Sequence, residues 1–264
     1  MPKKQIIDPQ TQLTQRQKSI LFAMVKEYCD HGMSIGSKEL KEKYNFNFSS
    51  ATIRNELVLL RDLGYLYQPF LNSSSKPTDK AFKLFINQLI TGLQVTTRQQ
   101  KDLRMRLDEM ERQQVNLSRE ISRLVALQSG GAAFSIEGDY EHVTGMRNLL
   151  DQPTEGKVGD ILEFLDNIDH YKQYLLTGET AQKIENEISE ELNETHSNLL
   201  TIIGDENPVI PLGKGYAMVA TKVYLKDEET VVGLVTPIQL LAKEKNIAMM
   251  DALNKLLGKG NKPK

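Results

Sequence analysis

Polar and apolar positions near the start of the chain alternate with a helical period. The apolar stripe consists of Ile20, Leu21, Met24, Val25 and Tyr28. Thr14 and Gln17 form a capping-box pattern, in which each side chain satisfies a backbone donor of the other residue. Gly32 can end a helix because glycine adopts positive φ without strain. The pattern predicts a helix over about residues 14–32.

Two shorter helices are predicted next, followed by a turn at Gly64. Ser37 is the candidate cap of the second helix, and Ser49 or Ser50 that of the third. In the third helix Ile53, Leu57 and Leu60 recur at spacings of four and three, so they define its buried face. Since each residue of a helix turns by about 100°, the exposed side is predicted from this spacing. It carries Ser50, Ala51, Thr52, Arg54 and Asn55.

The chemistry of that exposed side suits the major groove of DNA. Arginine pairs with guanine and asparagine with adenine through two hydrogen bonds each, and small methyl groups can meet thymine. We therefore expect a set of DNA contacts at Ser49, Ser50, Thr52, Arg54 and Asn55. Ser37 and Lys38, at a helix start, are expected to contact phosphate. A protein-interaction module with a solvated polar face remains the alternative.

A hairpin is predicted after the third helix. Residues 65–68 have strand composition, Pro69 restricts them to a sheet edge, and Asn72 to Ser75 are typical of a turn. Lys76 and Pro77 lead back, and Lys76 is expected to meet a phosphate or the minor groove. A further helix follows Thr78 and ends at Gly92, with its aromatic residues in the core. Residues 1–92 are thus predicted to form a winged helix-turn-helix domain.

Residues 93–130 are predicted to form a helical spacer with a heptad pattern. No proline or glycine occurs from Thr96 to Gln128. Apolar residues alternate at spacings of four and three, which is typical of a coiled-coil seam. The candidate dimerisation residues are Leu103, Leu107, Met110, Leu117, Ile121 and Leu124. The alternative is that this helix packs on its own chain.

Residues 131–264 are predicted to form a mixed α+β domain. Strands are expected at 199–203, 216–225 and 231–235, and a short strand with its exit at 143–150. Helices are expected at 161–176, 179–193 and 239–257. The fold class is therefore α+β, with an N-terminal winged helix-turn-helix, a helical spacer and a C-terminal domain.

Composition and the pattern of residue types exclude several classes of protein. No stretch approaches the roughly 20 apolar residues of a membrane helix, and the single cysteine, Cys29, excludes a disulfide framework. These features predict a cytoplasmic protein. The four histidines are far apart, and the sequence lacks a phosphate-binding glycine loop and a catalytic triad pattern. We expect no enzyme activity, no metal and no cofactor.

The charge is unevenly distributed along a chain whose net charge is only −2. Residues 1–80 have 12 Lys or Arg against 8 Asp or Glu, a net of +4, and the remainder has a net of −6. A basic N-terminal part on an acidic remainder suits a protein that touches DNA with one end.

The chain resembles the heat-inducible transcription repressors of the HrcA family. The resemblance rests on residues 13–17, 35–38, 49–56, 63–69 and 77–80, and more loosely on 145–150, 204–207 and 224–237. It implies a winged-helix repressor of chaperone genes with a shortened GAF-like C-terminal domain. It also implies a homodimer on an inverted-repeat operator in double-stranded DNA, and a chaperonin partner.

The chain departs from the family pattern in the wing and the second domain. Ser74 to Lys76 replace the usual glycine-arginine pair of the wing, the arginine and tyrosine expected after Pro237 are missing, and the segment 134–141 is very short. Two alternatives stay open. One is a winged-helix regulator controlled by a small ligand in the C-terminal domain, and the other is a coiled-coil adaptor without DNA activity.

Overall fold

The structure is a computed structural model that describes residues 13–258, except 71–72, 93–96, 113–115, 151–156, 178–198, 206, 208, 211 and 227. The chain divides into two compact units, the first ending at Phe85 and the second beginning at Ile86. The segment 93–130 falls within the second unit, whereas the sequence predicts a separate spacer there. Among the described residues no helix is long and apolar enough to cross a membrane.

The first unit has the element order of a winged helix-turn-helix, as predicted. Its elements are α1 (Gln15–His31), α2 (Ser37–Tyr44), α3 (Ser50–Asp62), β1 (Leu66–Tyr67), β2 (Lys76–Pro77) and the first part of α4 (Asp79–Gly92), within which the unit ends. β1 and β2 form a short antiparallel ladder in which Leu66 lies opposite Pro77 and Tyr67 opposite Lys76.

Helix ends in this unit follow the capping residues closely. The Gln17 backbone N–H donates to Thr14 Oγ1 at 3.3 Å, and the Thr14 N–H donates to Gln17 Oε1 at 2.9 Å. Gly32 ends α1 with a φ of 68°. The predicted cap of α2 is wrong, since Gly36 occupies that position and Ser37 is the first helical residue.

The predicted apolar faces of the helices pack together to form the core of the first unit. Ile20, Leu21, Leu40, Ile53 and Leu60 are fully buried. Two edge-to-face ring pairs add α4 to this core, one between Phe22 and Phe85 at 5.5 Å and one between Tyr28 and Phe82 at 6.2 Å. Phe82 is therefore a core residue, as expected, whereas Phe85 is half-buried against the Phe22 ring.

The second unit contains a five-stranded antiparallel sheet with the order β4-β3-β7-β6-β5. Its strands are β3 (Ala132–Glu137), β4 (Tyr140–Thr144), β5 (Leu199–Ile203), β6 (Tyr216–Leu225) and β7 (Glu228–Pro237). The predicted bounds of β5 and β6 are confirmed, and β7 begins three residues earlier than expected. β3 was not among the predicted strands. The segment predicted at 143–150 is the end of β4 followed by α7 (Met146–Leu150).

One face of this sheet packs on a large apolar cluster. Phe134, Met218, Tyr216 and Val235 project into it and meet residues of the helices that follow β4. Gly233 lies opposite Phe134 in the β3–β7 ladder, and a Cβ at that position would collide with the phenyl ring. The glycine in central strand β7 therefore makes room for the ring.

The remaining helices of the second unit are shorter than predicted. They are α8 (Val158–Asp166), a 3₁₀ turn (Ile168–Tyr171), α9 (Lys172–Thr177), α10 (Ile238–Leu241) and α11 (Glu244–Leu257). The predicted helix at 161–176 is interrupted at Asn167, whose amide donates to the Glu163 carbonyl at 2.8 Å. The helix predicted at 179–193 lies outside the described residues.

The prediction of one continuous helix in the spacer is wrong. The structure has α5 (Thr97–Arg112) and α6 (Leu117–Ser129), and Asn116 caps α6 by accepting from the Arg119 N–H at 2.9 Å. Asparagine is a strong cap residue, so a helix can start there without a proline or glycine before it.

The candidate dimerisation residues are mostly inside the unit. The buried members, each at most 9% exposed, are Leu103, Leu107, Leu117, Ile121 and Leu124. α6 packs on β3 and β7, and α5 packs on α11. Met110 is partly exposed. This burial favours packing on the chain's own domain, the alternative to a two-chain seam.

Candidate DNA-binding surface

The first turn of α3 is fixed by two hydroxyl side chains. Ser49 Oγ accepts from the Thr52 N–H at 3.1 Å, and the Ser49 and Thr52 hydroxyls lie 2.9 Å apart. Ser49 therefore satisfies a backbone donor that a helix start would otherwise leave unpaired. Both residues were predicted as DNA contacts, and the structure shows that they also hold the first turn in place.

The next residues of α3 present free polar groups to solvent. Arg54 and Asn55 are exposed, Ala51 beside them is exposed, and Ser50 is half-buried. Within the described part of the chain, neither Arg54 nor Asn55 has a side-chain hydrogen bond or ion pair. A guanidinium and a carboxamide therefore lie next to each other on α3 with all their donors available. This is the arrangement predicted from the 100° turn per residue.

The start of α2 lacks a side-chain cap. Gly36 makes no capping bond, Ser37 is half-buried and Lys38 is exposed. Uncapped backbone N–H groups at a helix N-terminus bind anions. Lys38 adds a cation there, so this helix start can hold a phosphate group.

A buried carboxylate ties α3 to α1. Glu56 is 4% exposed, and it accepts from Gln17 Nε2 at 3.1 Å and forms an ion pair with Arg16. The Gln17 side chain thus caps α1 and also anchors α3. The capping box is visible in the sequence but the link to Glu56 is not, because Gln17 and Glu56 are 39 positions apart.

Arg16 is a candidate phosphate contact that the sequence did not reveal. Its side chain is 52% exposed while its guanidinium pairs with Glu56 of α3. A guanidinium has five donors, and one carboxylate oxygen does not use all of them.

A second buried carboxylate holds α2 against α1. Glu27 Oε2 accepts from Lys43 Nζ at 2.7 Å, and Glu27 Oε1 accepts from the Tyr44 hydroxyl at 2.8 Å. Burial alone raises the pKa of Glu27, but the hydrogen bonds from Lys43 and Tyr44 and the Lys43 charge outweigh it, so the pKa is lowered overall. Burial, followed by the bond to Glu27, raises the pKa of Tyr44 well above its usual range. The folded state therefore favours ionised Glu27 beside neutral Tyr44.

Glu27→Gln is expected to destabilise the protein by about 2 kcal/mol at neutral pH, because it weakens two hydrogen bonds to a charged group. The folded-state pKa of Glu27 is below its ordinary value of 4.5. Its stabilising contribution is therefore complete above the unfolded pKa and is lost as pH falls through the folded pKa. Urea unfolding at pH 7 and at about pH 3 measures both effects.

The control for this prediction is Glu42→Gln, which removes an exposed carboxylate of α2. It is expected to change stability by less than about 0.5 kcal/mol. If Glu27→Gln lost stability on acidification as steeply as the wild type, the pH dependence would not arise at Glu27.

The hairpin is fastened to the end of α3. Arg61 Nη1 donates to the buried Ser75 Oγ at 2.9 Å, and Lys80 Nζ donates to the Leu63 carbonyl at 3.1 Å. The Thr78 hydroxyl lies 2.8 Å from the Gly64 carbonyl. These contacts set the position of the hairpin relative to α3.

Lys76, predicted to reach DNA, is held against α1. Its ammonium lies over the Tyr28 ring, 5.8 Å from the centroid. Cation–π contacts at this distance are favourable. The part of Lys76 in DNA contact stays a prediction.

The described residues contain no group of three or more metal-ligating side chains. The site consists instead of the exposed donors of α3, the uncapped start of α2 and the hairpin that follows α3. These features define the class of the protein, which is a winged helix-turn-helix protein.

Two family models match the chain. "Winged helix-turn-helix transcription repressor, HrcA DNA-binding" covers residues 12–90, and "HrcA protein C terminal domain" covers residues 52–241, more than half of the chain. The chain belongs to the HrcA family, and the resemblance seen in the sequence is confirmed. This is a family of transcription repressors and not of enzymes.

Curated relatives share part of this chain. A heat-inducible transcription repressor HrcA from Sorangium cellulosum is 34% identical over 155 residues, which is 58% of this chain and 44% of the relative. Its counterpart from Staphylococcus haemolyticus is 42% identical over 98 residues, 37% of this chain and 29% of the relative. The matched segments thus cover less than half the length of these relatives.

A solved structure supports the fold over nearly the whole chain. The structure, titled "Crystal structure of a hypothetical protein at 2.2 A resolution", superposes with a TM-score of 0.62 at 17% identity. The match covers 93% of this chain and 98% of that one. At this identity the likeness concerns the fold alone.

Proposed function

We propose that the protein is a sequence-specific transcriptional repressor of heat-shock chaperone genes that binds an inverted-repeat operator as a dimer. The observation that carries the proposal is the adjacent pair of unpaired, exposed donors on α3, Arg54 and Asn55. They lie on the helix that a winged helix-turn-helix places in the major groove. Membership of the HrcA family supports the same conclusion.

In the proposed mechanism the α3 helices of two protomers enter successive major grooves and block access to a promoter. Arg54 pairs with guanine and Asn55 with adenine. Ser50 and Thr52 add contacts near the helix start. Ser37, Lys38 and the newly identified Arg16 hold phosphates and thereby fix the register of α3 on the duplex.

Dimerisation is part of the proposal because an inverted repeat mirrors two-fold symmetry in the protein. Since most heptad positions are buried within the unit, the contacts must come from other surfaces. α5 and α6 expose large apolar side chains at Met105, 61% exposed, and Leu127, 83% exposed. Among the described residues of the predicted spacer, these two large apolar side chains are the most accessible to a second protomer.

The second unit is proposed to be a shortened GAF-like regulatory domain. Its antiparallel sheet, with the first strand of the unit flanked by the second and the last, supports this assignment. Following the family resemblance, we propose that a chaperonin maintains the active repressor. Adding purified chaperonin should then raise the fraction of protein that binds operator, and an unchanged fraction would remove the chaperonin from the proposal.

The proposed function is tested by selecting duplexes from a random-sequence pool with the purified full-length chain. We expect recovery of an inverted repeat that binds far more tightly than a scrambled duplex. Affinity should fall with salt, because each neutralised phosphate adds about 0.9 to the log–log slope. Lys38→Ala should lower the slope by about that amount.

Lys245→Ala is the matched control for Lys38→Ala, since it removes an exposed lysine from α11 of the second unit. It should leave the slope unchanged. Recovery of no preferred duplex, or an affinity independent of salt, would contradict the proposed function.

A second candidate is a winged-helix regulator controlled by a small ligand. The place to test for such a ligand is an open cleft of about 390 Å³ in the second unit, lined in part by Met110, Arg123, Leu124 and Asn148. Ligand sites usually have volumes of about 300–1,000 Å³. A metabolite that raises the melting temperature of the wild type, but not of Asn148→Leu, would support this candidate. Control by chaperonin alone would count against it.

A further inference from the structure

The loop between β1 and β2 presents one aromatic side chain to solvent. Phe70 is 77% exposed. Single exposed apolar residues are common on soluble proteins, so exposure alone indicates no function. The hydrogen bonds around Phe70 and the positions of the nearby cations give it a more specific meaning.

The backbone of Phe70 is held by a single serine. The Ser73 hydroxyl lies 3.2 Å from the Phe70 N–H and 2.8 Å from the Phe70 carbonyl, to which it donates. The Ser73 N–H donates to the same carbonyl at 3.0 Å, and Gln68 Nε2 donates to the Ser73 carbonyl. The turn therefore fixes the backbone that presents the phenyl ring, and less conformational entropy is lost when the ring binds.

The cations of this segment each contact a group of the protein, although Lys80 of α4 is exposed. Between residues 61 and 80 the lysines and arginines are Arg61, Lys76 and Lys80. Arg61 bonds to Ser75, and Lys76 lies over the Tyr28 ring. Lys80 bonds to the Leu63 carbonyl and lies 4.4 Å from the centre of the Tyr65 ring. Among the described residues of the hairpin, the Phe70 ring is thus exposed to solvent, whereas no cation is.

We propose that Phe70 is a DNA contact and enters the minor groove next to the major groove occupied by α3. This inference rests on the proposed function. The hairpin starts at the end of α3 and is bonded to it through Arg61, so Phe70 belongs to the element that adjoins that helix. Apolar side chains, phenylalanine among them, are known minor-groove wedges. Because Phe70 neutralises no phosphate, its contribution to affinity does not depend on counterion release.

The first test compares salt dependence in two variants on the inverted-repeat duplex recovered by selection. Phe70→Ala should bind about tenfold more weakly, since removal of an aromatic contact to nucleic acid costs about 1–3 kcal/mol. Its log–log salt slope should equal that of the wild type. Lys38→Ala should instead lower the slope by about 0.9. Unchanged affinity of Phe70→Ala, or a lowered slope, would overturn the inference.

The second test uses the lack of tryptophan in the chain. Phe70→Trp places a single fluorophore at the hairpin, and duplex should shift its emission to shorter wavelength and protect it from acrylamide. Tyr140→Trp, at an 81% exposed position of β4, is the matched control and should not respond. Netropsin, a minor-groove ligand, should reverse the Phe70→Trp signal. A Phe70→Trp signal that ignores duplex would refute the contact.

The two proposals fail in different ways. If the wild type recovers no preferred duplex, the repressor function itself is wrong. If the wild type binds its duplex and Arg54→Ala weakens that binding while Phe70→Ala does not, only the role of Phe70 is wrong.

Discussion

Replacing Arg54 and Asn55 together by alanine is expected to remove sequence-specific binding while the protein stays folded. Each two-bond contact to a base contributes about 1–3 kcal/mol of discrimination, so the pair accounts for at least about 2 kcal/mol, or about 30-fold in affinity. Both side chains are exposed, so no packing is lost. Fluorescence anisotropy with the selected duplex and a scrambled duplex measures the effect. Binding to the selected duplex should fall close to that of the scrambled one.

The control for the double variant is Arg104→Ala, which removes an exposed guanidinium from α5. It should leave the preference for the selected duplex intact. Arg54→Lys separates charge from geometry, because lysine keeps the charge but cannot form the planar fork of arginine. It should therefore retain binding to scrambled duplex and lose discrimination. A double variant that binds the selected duplex like the wild type would show that α3 does not read bases through these residues.

The exposed group on α3 was predictable because its geometry is local. The 100° turn of a helix determines which residues share the side of Ile53, and the serine at position 49 marks the start of the helix. The bounds of β5 and β6 were predictable for a related reason, since each is an apolar run with turn residues near its ends. In α3, β5 and β6 the local structure is determined by residues that are close in sequence.

The supports of the site were not predictable because they depend on distant partners. Glu27 and Glu56 are charged residues that the sequence gives no reason to bury, and their partners lie 16 and 39 positions away. The Lys76 ammonium likewise lies over the Tyr28 ring, 48 positions away in sequence, and this contact is not visible in the sequence. Buried charges require such partners. Only the fold determines which side chains come close enough to be those partners.

The heptad pattern shows how a correct periodicity can suggest a wrong partner. α5 buries Leu103 and Leu107, and α6 buries Leu117, Ile121 and Leu124, so the spacing of four and three is followed by burial within each helix. An apolar stripe of this kind indicates that one side of a helix is buried. It does not indicate whether the packing partner is a second chain or the sheet of the same unit.

Ile121→Asp is therefore expected to unfold the second unit, not merely to separate protomers. Ile121 is fully buried in α6, which packs on β3 and β7. An unpaired carboxylate there lacks a compensating partner, and such a charge costs about 3–5 kcal/mol. That is a large share of the roughly 5–15 kcal/mol that stabilises a typical domain. Urea unfolding followed by circular dichroism should show a loss of about 4 kcal/mol or a unit already unfolded without urea.

Leu127→Asp provides the matched control within the same helix, because Leu127 is 83% exposed. It should change stability by less than about 0.5 kcal/mol. Sedimentation velocity then separates the two roles of this helix. If Leu127 contributes to the dimer, Leu127→Asp should yield folded monomers, whereas Ile121→Asp should yield a destabilised chain. A folded, fully stable Ile121→Asp monomer would instead mean that Ile121 lies between two protomers, and the packing of α6 on its own sheet would be wrong.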